Sequence, residues 1–158
     1  MPIKPIERLK EQIKLELGNL SRVTQELDDF LKQLSDRQPG TIEVSGVGGH
    51  LHNFYMGVER IFERIAVTLD GGLPTGESWH TLLLQQMEIE YPETRPSVID
   101  HSLALRLLDY LRFRHLYRNT YGYELLWEKC RPLAEGVSST LAMFQEQLSQ
   151  FLDRLQEL

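Results

Sequence analysis

Residues 5–35 read PIERLKEQIKLELGNLSRVTQELDDFLKQLS, and their pattern is a strong indication of an α-helical fold. Its apolar residues recur at steps of three and four, which places them on one stripe of a helix with charged residues opposite. The stripe consists of Ile6, Leu9, Ile13, Leu17, Leu20, Val23, Leu27, Phe30 and Leu34. Pro5 suits a helix start, and Pro39-Gly40 suits the loop that follows. The pattern therefore predicts one long amphipathic helix from about residue 5 to residue 35.

The same spacing predicts further helices along the rest of the chain. Their predicted extents are residues 47–69, residues 77–87, residues from a cap at Ser97 or Asp100 to Tyr121-Gly122, and residues from Leu125 or Pro132 to the C-terminus. The glycines at the start of the second helix, Gly46, Gly48 and Gly49, suit a close helix crossing. No segment of useful length alternates at the period of a strand. We therefore expect an all-α protein, one domain over residues 1–158, folded as an antiparallel up-and-down bundle of four to five helices.

Composition excludes several classes of protein. Apolar residues make up 41% of the chain and charged residues 25%, which is typical of a globular rather than a disordered protein. No apolar run approaches the roughly 18 to 20 residues of a membrane span, and the N-terminus lacks the apolar core of a signal peptide. Cys130 is the only cysteine, which argues against an internal disulfide and a thiolate metal site. We therefore expect a soluble, cytoplasmic protein with no membrane partner and no bound metal.

Positive charge is concentrated in one segment of an otherwise acidic chain. The formal net charge is −6, which argues against broad non-specific binding to nucleic acid. Residues 106–118, however, contain four arginines and one aspartate, which leaves three net positive charges. Arg114 and Arg118 share a helix face by their spacing, and His115 and Asn119 share the adjacent face.

This basic segment allows two interpretations. Arginines on one face repel each other unless they share an acidic partner or bind an anion such as phosphate. A histidine beside them is the residue type that acid–base cleavage of a phosphodiester uses. The alternative is an inter-helix salt-bridge cluster in which the neighbouring tyrosines serve packing. Spacing alone leaves both interpretations open.

For the other ionisable residues that could take part in catalysis or metal binding, the sequence favours structural roles. Four histidines are assigned to packing or capping: His50, His52, His80 and His101. The acidic pairs at i,i+4 spacing are assigned to solvated charged faces, because basic residues neighbour them: Glu59/Glu63 and Glu124/Glu128. His50 and His52 flank one residue of a helix, so they point to different sides and cannot both hold one metal ion.

Three ordered motifs carry a resemblance to a known family. They are His52-Asn-Phe-Tyr55 followed by Val58-Glu-Arg-Ile-Phe62, then Gly76-Glu-Ser-Trp-His80, then Arg112-Phe-Arg-His115 with Tyr121. In this order and spacing the chain resembles the HepT-like proteins of the HEPN superfamily, small helical bacterial proteins also described as nucleotidyltransferase substrate-binding proteins. The similarity extends over roughly residues 3–158, and it rests on the order of the motifs rather than on any one of them.

The resemblance implies a function and a set of site residues. The family signature is arginine, four to six residues, histidine, any residue, tyrosine. It implies a metal-independent ribonuclease toxin that works as a homodimer without a cofactor. The arginine holds the scissile phosphate of RNA, and the histidine serves in acid–base cleavage. The tyrosine accepts AMP from a partner, a minimal nucleotidyltransferase antitoxin. In this chain Arg114 takes the arginine position, Asn119 the histidine position and Tyr121 the tyrosine position, with Arg112 and Arg118 as further phosphate or RNA contacts.

Asn119 departs from the family signature. A neutral amide cannot exchange a proton near pH 7, so the acid–base role passes to His115, one helical turn earlier, or is lost. Three hypotheses follow. The first is a toxin-like ribonuclease, whose activity survives, is weakened or is lost. The second is a non-catalytic subunit associated with a nucleotidyltransferase, and the third is a purely structural helical dimer.

Overall fold

The structure is a computed structural model that describes residues 4–156, apart from the side chains of residues 123 and 156. Five α-helices form a bundle: α1 Pro5–Leu34, α2 Thr41–Leu69, α3 Trp79–Gln86, α4 His101–Arg118 and α5 Trp127–Gln156. A short 3₁₀ turn, Gly122–Glu124, connects α4 to α5. Within residues 4–156 no β-strand forms, and the predicted all-α bundle is confirmed. Residues 1–3 and 157–158 of the predicted domain, and so the end of the last predicted helix, lie outside the described residues.

Helix α5 runs antiparallel to both α1 and α4, as cross-helix pairs demonstrate. Between α1 and α5, Asp28 accepts a hydrogen bond from Ser138, and Ser21 one from Gln145. As the residue number falls on one helix it rises on the other. The pairs that join α4 to α5 behave in the same way: Asp100 with Gln147, Arg106 with Ser139, and Tyr110 with Leu133. Burying the apolar stripes against one another forms a single contiguous core.

The first helix agrees with its prediction to within a residue. Pro5 occupies its first turn, and the helix ends at Leu34 with Ser35 as the C-cap. The predicted stripe supplies the buried residues Leu9, Ile13, Leu20, Leu27 and Leu34. In the described range no helix is both long and apolar enough to cross a membrane.

The second helix begins six residues before its predicted start. Its N-cap is Gly40, whose N–H donates to the carboxylate of Glu43 at 2.9 Å, while Arg37 donates to the same carboxylate twice at 2.8 Å. This cap starts the helix at Thr41 despite the glycines that follow. A Cβ placed on Gly48 would lie 2.8 Å from the side chain of Leu125, which precedes α5, and 3.3 Å from the Tyr117 ring of α4, so this glycine packs closely against the end of α4 and the connection that follows it.

The fourth and fifth helices differ from prediction at single ends. Asp100 caps α4 by accepting a hydrogen bond from the N–H of Leu103 at 2.8 Å. The helix stops at Arg118, three residues before the predicted end. The start of α5 at Trp127 places Pro132 inside the helix, where its missing N–H removes one backbone hydrogen bond.

A buried arginine attaches the connection between α3 and α4 to the end of α2. Arg95 is 1% exposed and donates to both carboxylate oxygens of Asp70, at 2.6 and 3.0 Å. It also donates to three carbonyl groups, those of Gln86, Ile89 and Pro96. This anchor holds the short helix α3 beside α4, where the two helices line a cleft.

Candidate active site

The cleft between α3 and α4 has a volume of about 540 Å³, within the usual range of ligand sites. From α4 it is lined by Arg112, Arg114 and His115, three of the residues predicted from sequence. The α3 side contributes polar groups that include His80. Two arginines and two histidines therefore border one opening, together with the exposed carboxylate of Glu77 just before α3.

The arginines at the cleft and at the end of α4 lack an ion-pair partner among the described residues. In the part of the chain that the structure describes, no carboxylate lies within salt-bridge distance of Arg112, Arg114 or Arg118. Arg114 is half-buried, and its buried Nε makes no hydrogen bond to any residue that the structure describes. The alternative of an inter-helix salt-bridge cluster is therefore wrong for these residues. Unpaired guanidinium groups beside a cleft suit an anionic ligand.

Asn119 closes helix α4. It is the C-cap residue, and its side-chain Nδ2 donates to the carbonyl of His115 at 2.8 Å. The amide thereby satisfies one of the carbonyl groups that a helix end leaves unpaired. Asn119 does not line the cleft, so the structure gives it a local structural role.

Tyr121 lies beyond the end of α4, on extended backbone just before the 3₁₀ turn. It does not line the cleft, but its side chain is 70% exposed. Another protein can therefore reach the ring from solvent. Arg118 is also exposed near the helix end and lies outside the cleft lining.

Sequence reasoning missed a set of polar groups on α2 behind Arg114. His52, Tyr55 and Glu59 lie on one face of this helix by their spacing. The His52 ring packs on Tyr117 with 5.1 Å between centroids. Burial, followed by the positive charges of Arg114 and Arg118, lowers the pKa of His52. Within the described residues, neither His52 Nε2 nor Arg114 Nε has a hydrogen-bond partner.

Tyr55 belongs to the same buried group. Its ring is fully buried, and its hydroxyl is a further atom without a hydrogen-bond partner in the described part of the chain. Burial, assisted by the charge of Glu59 and opposed by that of Arg114, raises the pKa of Tyr55. Three polar residues at helical spacing on an apolar helix are the signal by which sequence reasoning could have found this face.

The assignment of Glu59 to a solvated face is wrong. Glu59 is only 5% exposed, because it lies on the inner face of α2 opposite α3. It accepts a hydrogen bond from Nδ1 of His80 at 2.8 Å, and the His80 ring also packs on Trp79 at 3.8 Å. Glu63 is half-buried, and burial, followed by the charge of Glu59, raises its pKa. His80 thus has a packing role, as predicted, and also a buried carboxylate partner.

The bundle and its cleft define a class: an all-helical protein with a basic, histidine-lined opening near the end of one helix. A protein-family model described as HepT-like protein matches residues 46–155, more than two thirds of the chain. The chain therefore belongs to the HepT-like family, and the resemblance drawn from its motifs is confirmed. The matched range contains every site residue discussed above. No curated protein and no solved structure matches the chain.

Proposed function

We propose that this chain, a single-domain cytoplasmic protein, is the toxin-like component of a bacterial toxin–antitoxin pair and a metal-independent ribonuclease. The observation that carries the proposal is the pair Arg112 and Arg114 at the cleft, with no acidic partner among the described residues. A phosphodiester would supply the negative charge that these guanidinium groups lack. Family membership supports the same reading.

The residues have distinct roles in this proposal. Arg114 binds the scissile phosphate and stabilises the charge that develops on its oxygens during cleavage. Arg112 and Arg118 add positive charge along the path of the RNA backbone. His115, which lines the cleft, transfers a proton. Asn119 ends the helix and takes no part in proton transfer.

A nucleotidyltransferase antitoxin would regulate the protein through Tyr121. The tyrosine hydroxyl attacks the α-phosphorus of ATP, pyrophosphate leaves, and the phenolic proton passes to solvent. The exposure of Tyr121 supports this reaction, because a partner enzyme must reach it. The attached AMP adds negative charge near the arginines, where it competes with RNA. A homodimer would double the positive patch, and sedimentation at micromolar concentration tests for it.

A second function is favoured by one observation. Because the Asn119 amide is used to close α4, the family's histidine position contributes no proton-transfer group here. In this alternative the chain is a non-catalytic subunit that presents Tyr121 and the arginines to a nucleotidyltransferase without cutting RNA.

One experiment separates the two functions. The chain is expressed with and without a nucleotidyltransferase encoded beside it, and the purified protein is incubated with RNA in EDTA. The variants are Arg114→Ala and the control Arg22→Ala, which removes an arginine that is 83% exposed and paired with Glu26. The ribonuclease proposal expects growth inhibition and cleavage, both lost in Arg114→Ala and kept in the control. A stable complex with the nucleotidyltransferase and no cleavage supports the second function.

A further inference from the structure

We infer that His80, held by the buried carboxylate of Glu59, is a second proton-transfer group of the cleft and accepts the proton of the attacking 2′-hydroxyl of RNA. The inference rests on the proposed ribonuclease function and deepens it. Asn119 cannot transfer a proton, and this inference gives that role to a residue of α3, on the side of the cleft that faces α4. The chemical class of ligand is a single-stranded ribonucleotide phosphodiester.

The position of His80 is the first support. His80 belongs to α3 and Arg114 and His115 belong to α4, and all three line the same opening. A phosphate held by Arg114 therefore has one histidine from each helix around it. A volume of about 540 Å³ accommodates a nucleotide with its phosphate. Thr81 and Gln85 of α3 add neutral polar groups to the lining, which suit a ribose.

The contact with Glu59 is the second support. A carboxylate only accepts hydrogen bonds, so the proton of the neutral imidazole lies on Nδ1. The lone pair is then on Nε2, which makes no hydrogen bond within the described residues. The carboxylate also stabilises the imidazolium that forms once Nε2 has taken a proton. Glu59 thus acts as a positioning residue.

This pair differs from the other histidine–carboxylate pairs of the described chain. The side chains of His101 and Glu88 are 75% and 25% exposed, and those of His50 and Glu26 are 36% and 55% exposed. In the pair formed by His80 and Glu59 the values are 22% and 7%. Only here is the carboxylate buried while the imidazole borders a cleft. Exposed pairs contribute little, whereas a buried carboxylate fixes the ring and its tautomer.

The reaction balances without any further reactant. The 2′-oxygen of the ribose attacks phosphorus, and its proton passes to Nε2 of His80. The bond from phosphorus to the 5′-oxygen breaks, and protonated His115 gives its proton to that oxygen. The products are a 2′,3′-cyclic phosphate and a 5′-hydroxyl end. Proton exchange with water returns both histidines to their starting states. The Arg114 guanidinium stabilises the charged phosphorane-like transition state.

The test uses the full chain and a single-stranded RNA that contains every dinucleotide step, with the all-DNA strand as a substrate that lacks the nucleophile. His80→Ala is expected to lower kcat at least about 100-fold with little change in KM, as loss of a general base does. Added imidazole should restore part of the cleavage, because it supplies the missing base to the vacated space. Mass spectrometry of the product ends should find cyclic phosphate.

Further variants exclude a purely structural role. Glu59→Gln keeps the size of the side chain but removes its charge, and it is expected to lower kcat about 10-fold or more while KM stays near that of the wild type. The matched control His101→Ala removes a histidine–carboxylate pair outside the cleft and should cut like the wild type. Circular dichroism and thermal unfolding check that each variant folds.

The outcomes separate this inference from the proposed function. If His80→Ala cuts like the wild type while Arg114→Ala does not cut, His80 is not a catalytic residue and the ribonuclease proposal stands. A folded His80→Ala protein that loses activity and is not rescued by imidazole also overturns the inference. A wild type that leaves the RNA intact refutes the ribonuclease function, and the role of His80 fails with it.

Discussion

Replacing Arg95 with methionine tests whether one buried side chain holds α3 against the bundle. The guanidinium makes five hydrogen bonds, two of them to the carboxylate of Asp70, whose side chain is 4% exposed. In Arg95→Met this carboxylate keeps one side-chain donor among the described residues, Gln86 at 2.7 Å. Breaking a buried ion pair on one side costs about 3–5 kcal/mol, because the remaining charge stays desolvated.

We therefore expect the free energy of unfolding to fall by about 4 kcal/mol, a large part of the 5–15 kcal/mol typical of a domain. With a urea slope of about 2 kcal/mol/M, the unfolding midpoint should fall by about 2 M. Circular dichroism against urea concentration measures this shift. The double variant Arg95→Met/Asp70→Asn should recover part of the loss, because it removes the buried charge.

The matched control is Arg131→Met. Arg131 pairs with Glu135 on the surface, with the two side chains 57% and 53% exposed, so its loss should cost at most about 0.5 kcal/mol. If Arg95→Met changes the midpoint no more than this control does, the connection between α3 and α4 is not held by Arg95, and the reasoning is wrong.

Three further predictions concern helix packing, the thiol and the helix end. Gly18→Ala should stabilise the protein by up to about 1 kcal/mol, because none of the described atoms lies within 4 Å of the new Cβ. Gly57→Ala should destabilise it by about 1–2 kcal/mol, because its Cβ would lie 2.5 Å from Leu20. Equal urea midpoints for the two variants would contradict this prediction. Burial raises the pKa of Cys130 to about 11, so below pH 9 almost none of the thiol is ionised to thiolate. A thiol reagent should therefore modify Cys130 only when the protein unfolds. Rapid labelling of the native protein at pH 8 would refute the burial of this side chain. Asn119→His in a His115→Ala background should raise RNA cleavage above that of His115→Ala alone, because it restores a proton donor at the family position; unchanged rates would show that this position does not reach the RNA.

The parts of the fold that depend on local pattern could be predicted from the sequence. The stripe of α1 needs only its own residues, and both ends of that helix agree with prediction within a residue. The start of α2 could not be found in this way. The helix propensity of glycine is low, whereas the cap that Glu43 and Arg37 build at Gly40 depends on residues before the helix. Tertiary packing of Gly48 then compensates for its weak propensity.

The candidate site also contains residues that the sequence pattern identifies and residues that only tertiary packing brings together. Arg112, Arg114 and His115 lie within four residues of one helix, so their concentration at one place is visible from the sequence, and the i,i+3 spacing puts Arg112 and His115 on one face. His80 and Glu59 belong to different helices, and only their packing brings them together. Glu59 stands one turn before another glutamate, a pattern typical of a solvent-exposed face. Its burial depends on where α3 docks, and no local rule contains that information.

The two connections that flank α3 differ in how freely their length can change. The segment before α3 turns through Gly71 and Gly76, both at positive φ with open space around their α-carbons, and most of its residues are exposed. The segment after α3 folds around the guanidinium of Arg95, which donates hydrogen bonds to the carbonyl groups of Ile89, before Arg95 in the sequence, and of Pro96, after it. Insertions and deletions during evolution should therefore accumulate between residues 71 and 75, before the motif that begins at Gly76 and the cleft lining that begins at Glu77, and a peptide tag or fluorophore can be inserted there. The length of the segment from residue 88 to residue 96 is constrained, because each added residue displaces a carbonyl that the arginine requires.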